Sequence, residues 1–428
     1  MRYSIDEAVE EFVPLRVQRR VLFISSLGWG TVAAGVMVMG FTIPSISKFY
    51  ALSVYQASWF ASITFLGMLI GAFLSGYISD FIGRTRMAFT ALVFASLFNF
   101  LTAFKMDYSM LLTFRFLAGF GLGGLLPTAN AMVAEFSSVK RRGKYLVLLE
   151  SSWAWGSIAI GAIAVSLKNW KTDYLSFGIG LIFAALFLFI PETPRYLIQK
   201  GKISSFKEKV KKWNGSLPKD VDFKIEFSSR EPFSRLLTRK YISTTLMLWF
   251  LWFSLSFSYY GFFIWLPKMV GQMAKTTLTT SLLFLFVMMV AQLPGYYTGA
   301  YLVEKIGRKK TLFYSLIGTA VFAILFAYGK SDAILLTFGT IMTFFCMSAW
   351  GSLYAYTPEL YPTAFRGSAN GSSGAMARIA GIIAPLYTSL LIEKNSSQFA
   401  IMTFGALLII SSIWMMLVGK ETQNSKIN

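Results

Sequence analysis

The feature that most constrains this chain is its succession of apolar runs nearly empty of charge. Leu92 to Phe104, Leu181 to Ile190 and Phe399 to Val418 are examples. A helix needs roughly 20 apolar residues to span about 30 Å of hydrocarbon. A chain with many such runs satisfies its backbone there by forming helices packed on helices. Twelve stretches between residues 21 and 418 meet the requirement. The expected fold class is therefore an all-α membrane protein with twelve transmembrane helices. Composition agrees. Hydrophobic residues make up 55% of the 428 and charged ones only 14%, against about 25% charged in soluble domains.

The net charge of +20 invites a nucleic-acid reading, which the placement of charge rejects. With a cytoplasmic N-terminus, helix parity puts most Lys and Arg on inner loops, the positive-inside pattern. Anionic lipid of the inner leaflet is the partner this suits, and no nucleic acid is expected. The expected location is the cell membrane, multi-pass, with both termini cytoplasmic. The N-terminus reads as a short cytoplasmic helix rather than a signal peptide, with Ser4 and Glu7 at capping-box spacing. The single cysteine, Cys346, excludes an intrachain disulfide. Histidine is absent. No metal site or cofactor is expected, and a transported proton would have to sit on a carboxylate.

The chain also repeats itself. Asp80, Gly83 and Arg84 recur 224 residues later as Glu304, Gly307 and Arg308. Glu135 and Arg142-Gly143 recur at the same offset as Glu359 and Arg366-Gly367, and Gly71 as Gly295. Both copies start on the same side, so the reading is two parallel, pseudo-symmetric six-helix bundles related by an axis along the membrane normal. The organisation expected is a cytoplasmic segment over 1–20, a bundle over 21–190, a Lys-rich cytoplasmic linker over 191–240, a second bundle over 241–418 and a tail over 419–428. Leu217-Pro218 is expected to break the linker. Gly67-x-x-x-Gly71, Gly295-x-x-x-Gly299 and the Gly119 to Gly124 cluster read as close-packing surfaces between helices.

These residues carry a family resemblance. Gly76-Tyr-Ile-Ser-Asp80-Phe-Ile-Gly83-Arg84-Thr-Arg86 resembles the signature loop of the major facilitator superfamily, with a degraded copy from Ala300 to Lys310. Arg115-Phe-Leu-Ala-Gly119 resembles its fourth-span arginine motif. The paired Glu-x6-Arg-Gly motifs and Pro191-Glu-Thr-Pro-Arg195 resemble the sugar porters, and Lys420-Glu-Thr-Gln423 faintly resembles the motif that closes that branch. The resemblance implies the major facilitator fold and solute transport by alternating access.

The acids and arginines of these loops lie at the cytoplasmic ends of neighbouring helices, where they can pair and close the inner side. The pairs expected are Asp80 with Arg141 or Arg142, Glu135 with Arg84 or Arg86, and Glu304 and Glu359 with Arg308 and Arg366. Arg195 can join either set. The gating group is thus Asp80, Gly83, Arg84, Glu135, Arg142, Arg195, Glu304, Gly307, Arg308, Glu359 and Arg366.

Three charges lie well inside the spans: Arg115, Glu150 and Arg378. Intramembrane charges must be paired or hydrated and mark functional sites. At helical rise, Glu150 lies about 10 Å beyond Gly143 and Arg378 about 16 Å beyond Gly367. Their counterparts in the other half are uncharged, so these positions are not part of the repeat. Glu150 is read as the protonatable acid, with one arginine as its partner; a structural pair of Arg115 with Glu150 is the alternative. Trp153, Trp155, Tyr259, Tyr260, Tyr354 and Tyr356 are expected to face the cavity, where rings can hold a planar substrate.

The resemblance also sets limits. Proton-coupled sugar porters often carry an Asp in the first span, where this chain has Gly30, and Glu150 stands where they hold a sugar-binding Gln. The Tyr259-Tyr260-Gly261 and Trp265-Leu-Pro267 stretches look more like the niacin-transporter-like branch of metabolite:proton symporters, related to synaptic vesicle glycoproteins. The expected function is proton-coupled symport of a small organic anion such as an aromatic carboxylate, by a monomer. A sugar transporter, by symport or uniport, and a non-transporting sensor of the same fold are the alternatives. An enzyme is not expected: nucleophile–base pairs, metal ligands and a phosphate-cradling loop are all missing.

Overall fold

Short polar side chains cap the starts of several helices, and glycines divide two pairs of consecutive spans. Ser4 caps α1 (Ile5–Phe12), and Glu7 bonds back to the Ser4 backbone, closing the capping box. Ser53 and Gln56 repeat the device at the start of α3 (Val54–Ile82), which follows α2 (Leu15–Tyr50). Gly83, at φ +104°, separates α3 from α4 (Arg84–Leu101). Asp107 caps α5 (Tyr108–Phe136), and α6 (Val139–Leu167) follows. Two shorter helices, α7 (Trp170–Leu175) and α8 (Gly178–Phe187), complete the first half. The connection carries α9 (Pro194–Gln199), α10 (Ile203–Asn214) and a 3-10 turn (Phe233–Leu237).

The second half repeats the pattern. It comprises α11 (Ile242–Ala274), α12 (Leu278–Ile306), α13 (Arg308–Ala327), α14 (Asp332–Glu359), α15 (Arg366–Glu393) and α16 (Ser397–Val418). Gly307, at φ +97°, divides α12 from α13 as Gly83 divides α3 from α4. This computed structural model describes residues 2–215, 222–223, 233–362 and 365–423. The expected break at Leu217-Pro218 lies outside the described residues.

Ten of these helices are long and apolar enough to cross a membrane. The third and sixth spans are shorter. α4 has only 18 residues and begins on Arg84 and Arg86, and the sixth span is interrupted between α7 and α8. With them the architecture is the expected all-α one, twelve spans in two six-helix bundles. The small-residue stretches serve close approach. A Cβ at Gly67 or Gly71 would run into the backbone of Phe116 or Phe120 on α5, and one at Gly119 or Gly123 into that of Thr64 or Met68 on α3.

Three seams join the halves: α3 with α15, α6 with α12, and α2 with α11. Ser62 donates to the Ile382 carbonyl at 2.8 Å, and Phe65 packs on Tyr260 with centroids 4.4 Å apart. Gly40, in the last third of α2, lies so close to α11 that an added Cβ would sit 2.6 Å from the Phe263 carbonyl oxygen. The halves are therefore closed on the side away from α1. On the side that carries α1, a second small core joins Ile5 and Phe12 to Ile198, Phe206, Val210 and Phe223. A two-residue strand, β1 (Arg2–Tyr3), pairs in parallel with β2 (Asp222–Phe223) there.

Candidate functional site: a central cavity and two loop latches

Near the middle of the molecule, where α6 faces α11, α12, α14 and α15, a small cavity of about 20 Å³ is lined by Glu150, Trp153, Tyr259, Tyr260, Tyr296, Met347, Trp350, Tyr354 and Arg378. Glu150 comes from the first half and Arg378 from the second. Both are 8% exposed. Arg378 is the cation whose field reaches Glu150, and Asn130 lies beside the carboxylate. Several polar atoms in this space are buried without a partner: Glu150 Oε1, Arg378 Nε and Trp350 Nε1. A buried polar atom left unpaired costs about 1–3 kcal/mol, so three of them in one cavity make it the candidate binding site.

The walls are aromatic and fixed. Trp153 Nε1 donates to the Tyr259 hydroxyl at 3.0 Å, and Gln292 Nε2 reaches the same oxygen at 3.3 Å. The Tyr259 ring packs on Tyr260, Phe263 and Trp350. The helix turn separates residues that look equivalent in sequence. Trp155, two positions from Trp153, turns away and is 57% exposed. Tyr356, two positions from Tyr354, is buried against the tail, where its hydroxyl donates to the Lys420 carbonyl at 2.7 Å.

Arg115 does not join the cavity. Its guanidinium is fully buried within the first half, donating to Thr64 Oγ1 at 3.1 Å, Asn99 Oδ1 at 2.6 Å and the Gly35 carbonyl at 3.3 Å. It also lies over the Phe60 and Tyr174 rings. The structural pair of Arg115 with Glu150 is therefore not formed. The cavity contains one acid and one base, without an excess of positive charge.

The loop residues form two networks, one in each half. In the first, Arg84 pairs with Asp80 at 2.8 Å and approaches Glu135 at 3.6 Å. The Glu192 carboxylate accepts the backbone N–H of Arg84, Thr85 and Thr193 at 2.8–3.1 Å, while Thr193 Oγ1 donates to Glu135 at 2.6 Å. Arg195 adds positive field at Glu135. In the second, Arg308 pairs with Glu304 at 3.1 Å and Glu359 at 3.0 Å. Glu421 accepts the backbone N–H of Arg308 at 2.9 Å, and Thr422 Oγ1 donates to Glu359 at 2.5 Å. Glu421-Thr422 thus does in one half what Glu192-Thr193 does in the other.

Two expected pairings are corrected. Arg142 is committed to Asp6 at 2.6 Å and to the Ala134 carbonyl, since α1 folds back beneath the loop and brings its acid closer than Asp80. Arg366 donates to the Tyr361 carbonyl instead of an acid.

Gly83 and Gly307 are required twice over. Their backbone angles exclude side chains, and an added Cβ would strike the Glu192 or Glu421 carboxylate. Strained backbone of this kind costs about 1–3 kcal/mol for a residue with a side chain. Gly83→Ala and Gly307→Ala are expected to lower the melting temperature of purified protein, and unaltered unfolding would show that the latches hold nothing.

Comparison with known proteins decides the family. The sequence model of the sugar (and other) transporter family matches residues 22–428. The chain belongs to that family, within the major facilitator superfamily. It is a transporter and not an enzyme. It is 36% identical over 418 residues to a putative niacin/nicotinamide transporter, NiaP, of Bacillus subtilis (strain 168), covering 96% of this chain and 98% of that one. It is 33% identical to the niacin transporter NiaP of Acinetobacter baylyi (strain ATCC 33305 / BD413 / ADP1), over 94% of each. A crystal structure of a D-xylose-proton symporter has the same fold, with a TM-score of 0.76 at 18% identity, covering 95% of this chain and 99% of that one.

In this transporter, sequence reasoning missed Tyr296, Met347 and Trp350 in the cavity wall and Asn130 beside Glu150. Tyr296 adjoins the close-packing Gly295, a signal that its side chain lies near a helix crossing. It also missed Glu192 and Glu421 as latch residues, although both stand in motifs it had noted.

Proposed function

We propose that this transporter carries a planar aromatic carboxylate, of the pyridine-carboxylate kind, together with a proton into the cell, by alternating access with both termini cytoplasmic. The observation that carries the reading is the set of unpaired groups in the central cavity. Arg378 Nε and Trp350 Nε1 are donors suited to a carboxylate. Glu150 Oε1 can hold a proton or meet a ring N–H, and Trp153, Tyr259, Tyr260 and Tyr354 supply flat walls. The names of the two niacin-transporting relatives point the same way. The cavity is too small in this state for an aromatic ring, so the walls must separate for substrate to bind.

With the side away from α1 closed, we read this arrangement as belonging to the inward-facing half of the cycle. The two latches then act within their halves, keeping each rigid as the halves rock. Glu421 gives a pH test of that role. Burial raises its pKa, but the backbone N–H groups of Gln423, Thr422, Arg308 and Lys309 together bring it below the usual carboxylate value. A lowered carboxylate contributes above its unbound pKa and is lost as pH falls through its lowered one. Between about pH 5 and 8 the Glu421 latch therefore stays charged. The Glu421→Gln variant should slow transport by the same factor throughout that window; a defect that disappears at its acid end would contradict this.

Uptake of radiolabelled nicotinate, nicotinamide, benzoate, xylose and glucose into proteoliposomes, with and without a pH gradient, tests the function. Nicotinate is expected to accumulate with the gradient. Accumulation of a sugar instead would replace the substrate class, and nicotinate uptake indifferent to the gradient would remove the coupling.

A further inference from the structure

A second cavity lies at the seam between the halves, at the end of the molecule away from α1. It has a volume of about 120 Å³ and is lined by Phe41 and Ser45 of α2, Ala164, Val165 and Lys168 at the end of α6, Asn169, Trp170 and Asp173 at the start of α7, and Leu278, Thr279 and Leu282 of α12. Three of these elements belong to the first half and α12 to the second. Just beneath it Phe41 and Phe286 close on Gly161, each ring 2.9 Å from where a Cβ would stand. The cavity is therefore a recess in the closed seam, rimmed by the exposed Lys168, Asn169, Leu278 and Thr279, with Asp173 buried in its wall.

One side chain in it is out of place. Asp173 is only 3% exposed, and its Oδ1 is buried without a hydrogen-bond partner. A bare carboxylate in such a position costs several kcal/mol, and the group neutralises instead.

The charged and titratable neighbours do not cancel this. Lys168, at the end of α6, lines the same cavity but is exposed and makes no ion pair with Asp173. Lys171, on α7 itself, lies over Phe49 and Trp170. Tyr174 is turned toward Thr42 and the Arg115 network, and Tyr50 of α2 packs on Trp170. α12 contributes no charge, and α4, which also packs on α7, contributes no lining residue.

We propose that this cavity is a proton-binding site separate from the central one, in which Asp173 holds a proton while α12 covers it and releases it when α12 withdraws. The linkage follows from geometry. Parting of the halves would admit water to Asp173 and return it to the usual carboxylate range. The closed arrangement therefore takes up a proton that the open one does not, and acid favours closure. As pH rises, closure on this side should weaken. The proposal rests on the reading that the halves rock, but not on any substrate or driving ion.

The experiment needs neither. Cys346 is the chain's single cysteine and is buried; in a Cys346→Ser background, Ser45→Cys places a reporter in the cavity wall. Lys330→Cys, at an exposed turn, gives the intrinsic pH dependence of the reagent. The ratio of their labelling rates with a charged maleimide is measured in nanodiscs from about pH 5.5 to 8.5, with no substrate and no gradient. The ratio is expected to rise on the order of tenfold as pH rises across this range. It should stay at its acid level in Asp173→Asn and rise again in Asp173→Glu. A flat ratio in the parent, or a rise preserved in Asp173→Asn, would overturn the proposal. If Asp173→Asn does not yield a monodisperse protein, the parent profile and a midpoint unmoved by Asp173→Glu decide against it equally well. Failure of nicotinate uptake would leave these profiles untouched.

Discussion

Glu150→Gln is expected to abolish uphill uptake while leaving substrate exchange. The amide keeps the size and one acceptor of the carboxyl but cannot take up and release a proton. A one-proton symporter can accumulate its substrate about tenfold per pH unit of gradient, the value of roughly 1.4 kcal/mol. In the variant that accumulation should fall to none. Counterflow, in which unlabelled substrate inside drives labelled substrate in, isolates the binding and rocking steps and should continue. Loss of both activities would mean that Glu150 is needed for binding itself. Gradient-driven uptake at the parental level would remove it from coupling. Arg378 faces Glu150 from the other half, so Arg378→Ala should lose both activities and still yield folded protein.

Arg115→Leu should fail differently. Arg115 is a donor to Asn99 Oδ1, Thr64 Oγ1 and the Gly35 carbonyl, and all of these lie inside the first half. Leucine there leaves the buried Asn99 Oδ1 unpaired, at about 1–3 kcal/mol, and strips a second partner from Thr64 and the Gly35 carbonyl. It also removes the cation held over Phe60 and Tyr174. The variant is expected to give little monodisperse protein and a melting temperature lowered by many degrees. Arg378→Ala, whose Nε has no partner to lose, should melt close to the parent. If both variants melt alike, the distinction between a framework arginine and a cavity arginine is wrong.

Much of this fold was legible because hydrocarbon demands long apolar helices, and because a duplicated chain shows its loops twice. The repeat led from Arg84 and Glu135 to Arg308 and Glu359 before any contact was known. What the repeat could not supply was the partner from outside it. Glu192 and Glu421 are not spaced like the other latch residues, and Asp6 sits on a terminal helix with no counterpart. In the cavity, the sequence marked Glu150, Arg378, Trp153, Tyr259, Tyr260 and Tyr354, which the fold brings together. It grouped Arg115 with them because an intramembrane charge looks the same whether it faces a cavity or a polar knot between helices. Only Asn99 and Thr64, contributed by two other helices, make the difference. Trp155 and Tyr356 were grouped for a similar reason, since two residues along a helix reverse the direction a side chain faces.

The seams between the halves have a consequence for how the molecule responds to its surroundings. They are built of rings, glycines and a serine bonded to a carbonyl: Phe65 on Tyr260, Gly40 under Phe263, Phe41 and Phe286 on Gly161, Ser62 to Ile382. The ion pairs of the two latches lie inside one half or the other, where rocking does not break them. Dissolved salt acts on charges that change partners, and these do not. Such a machine should run at much the same rate in dilute and concentrated buffer. It should instead be sensitive to the thickness of the bilayer around it, because lipid presses on every helix that the seams must slide.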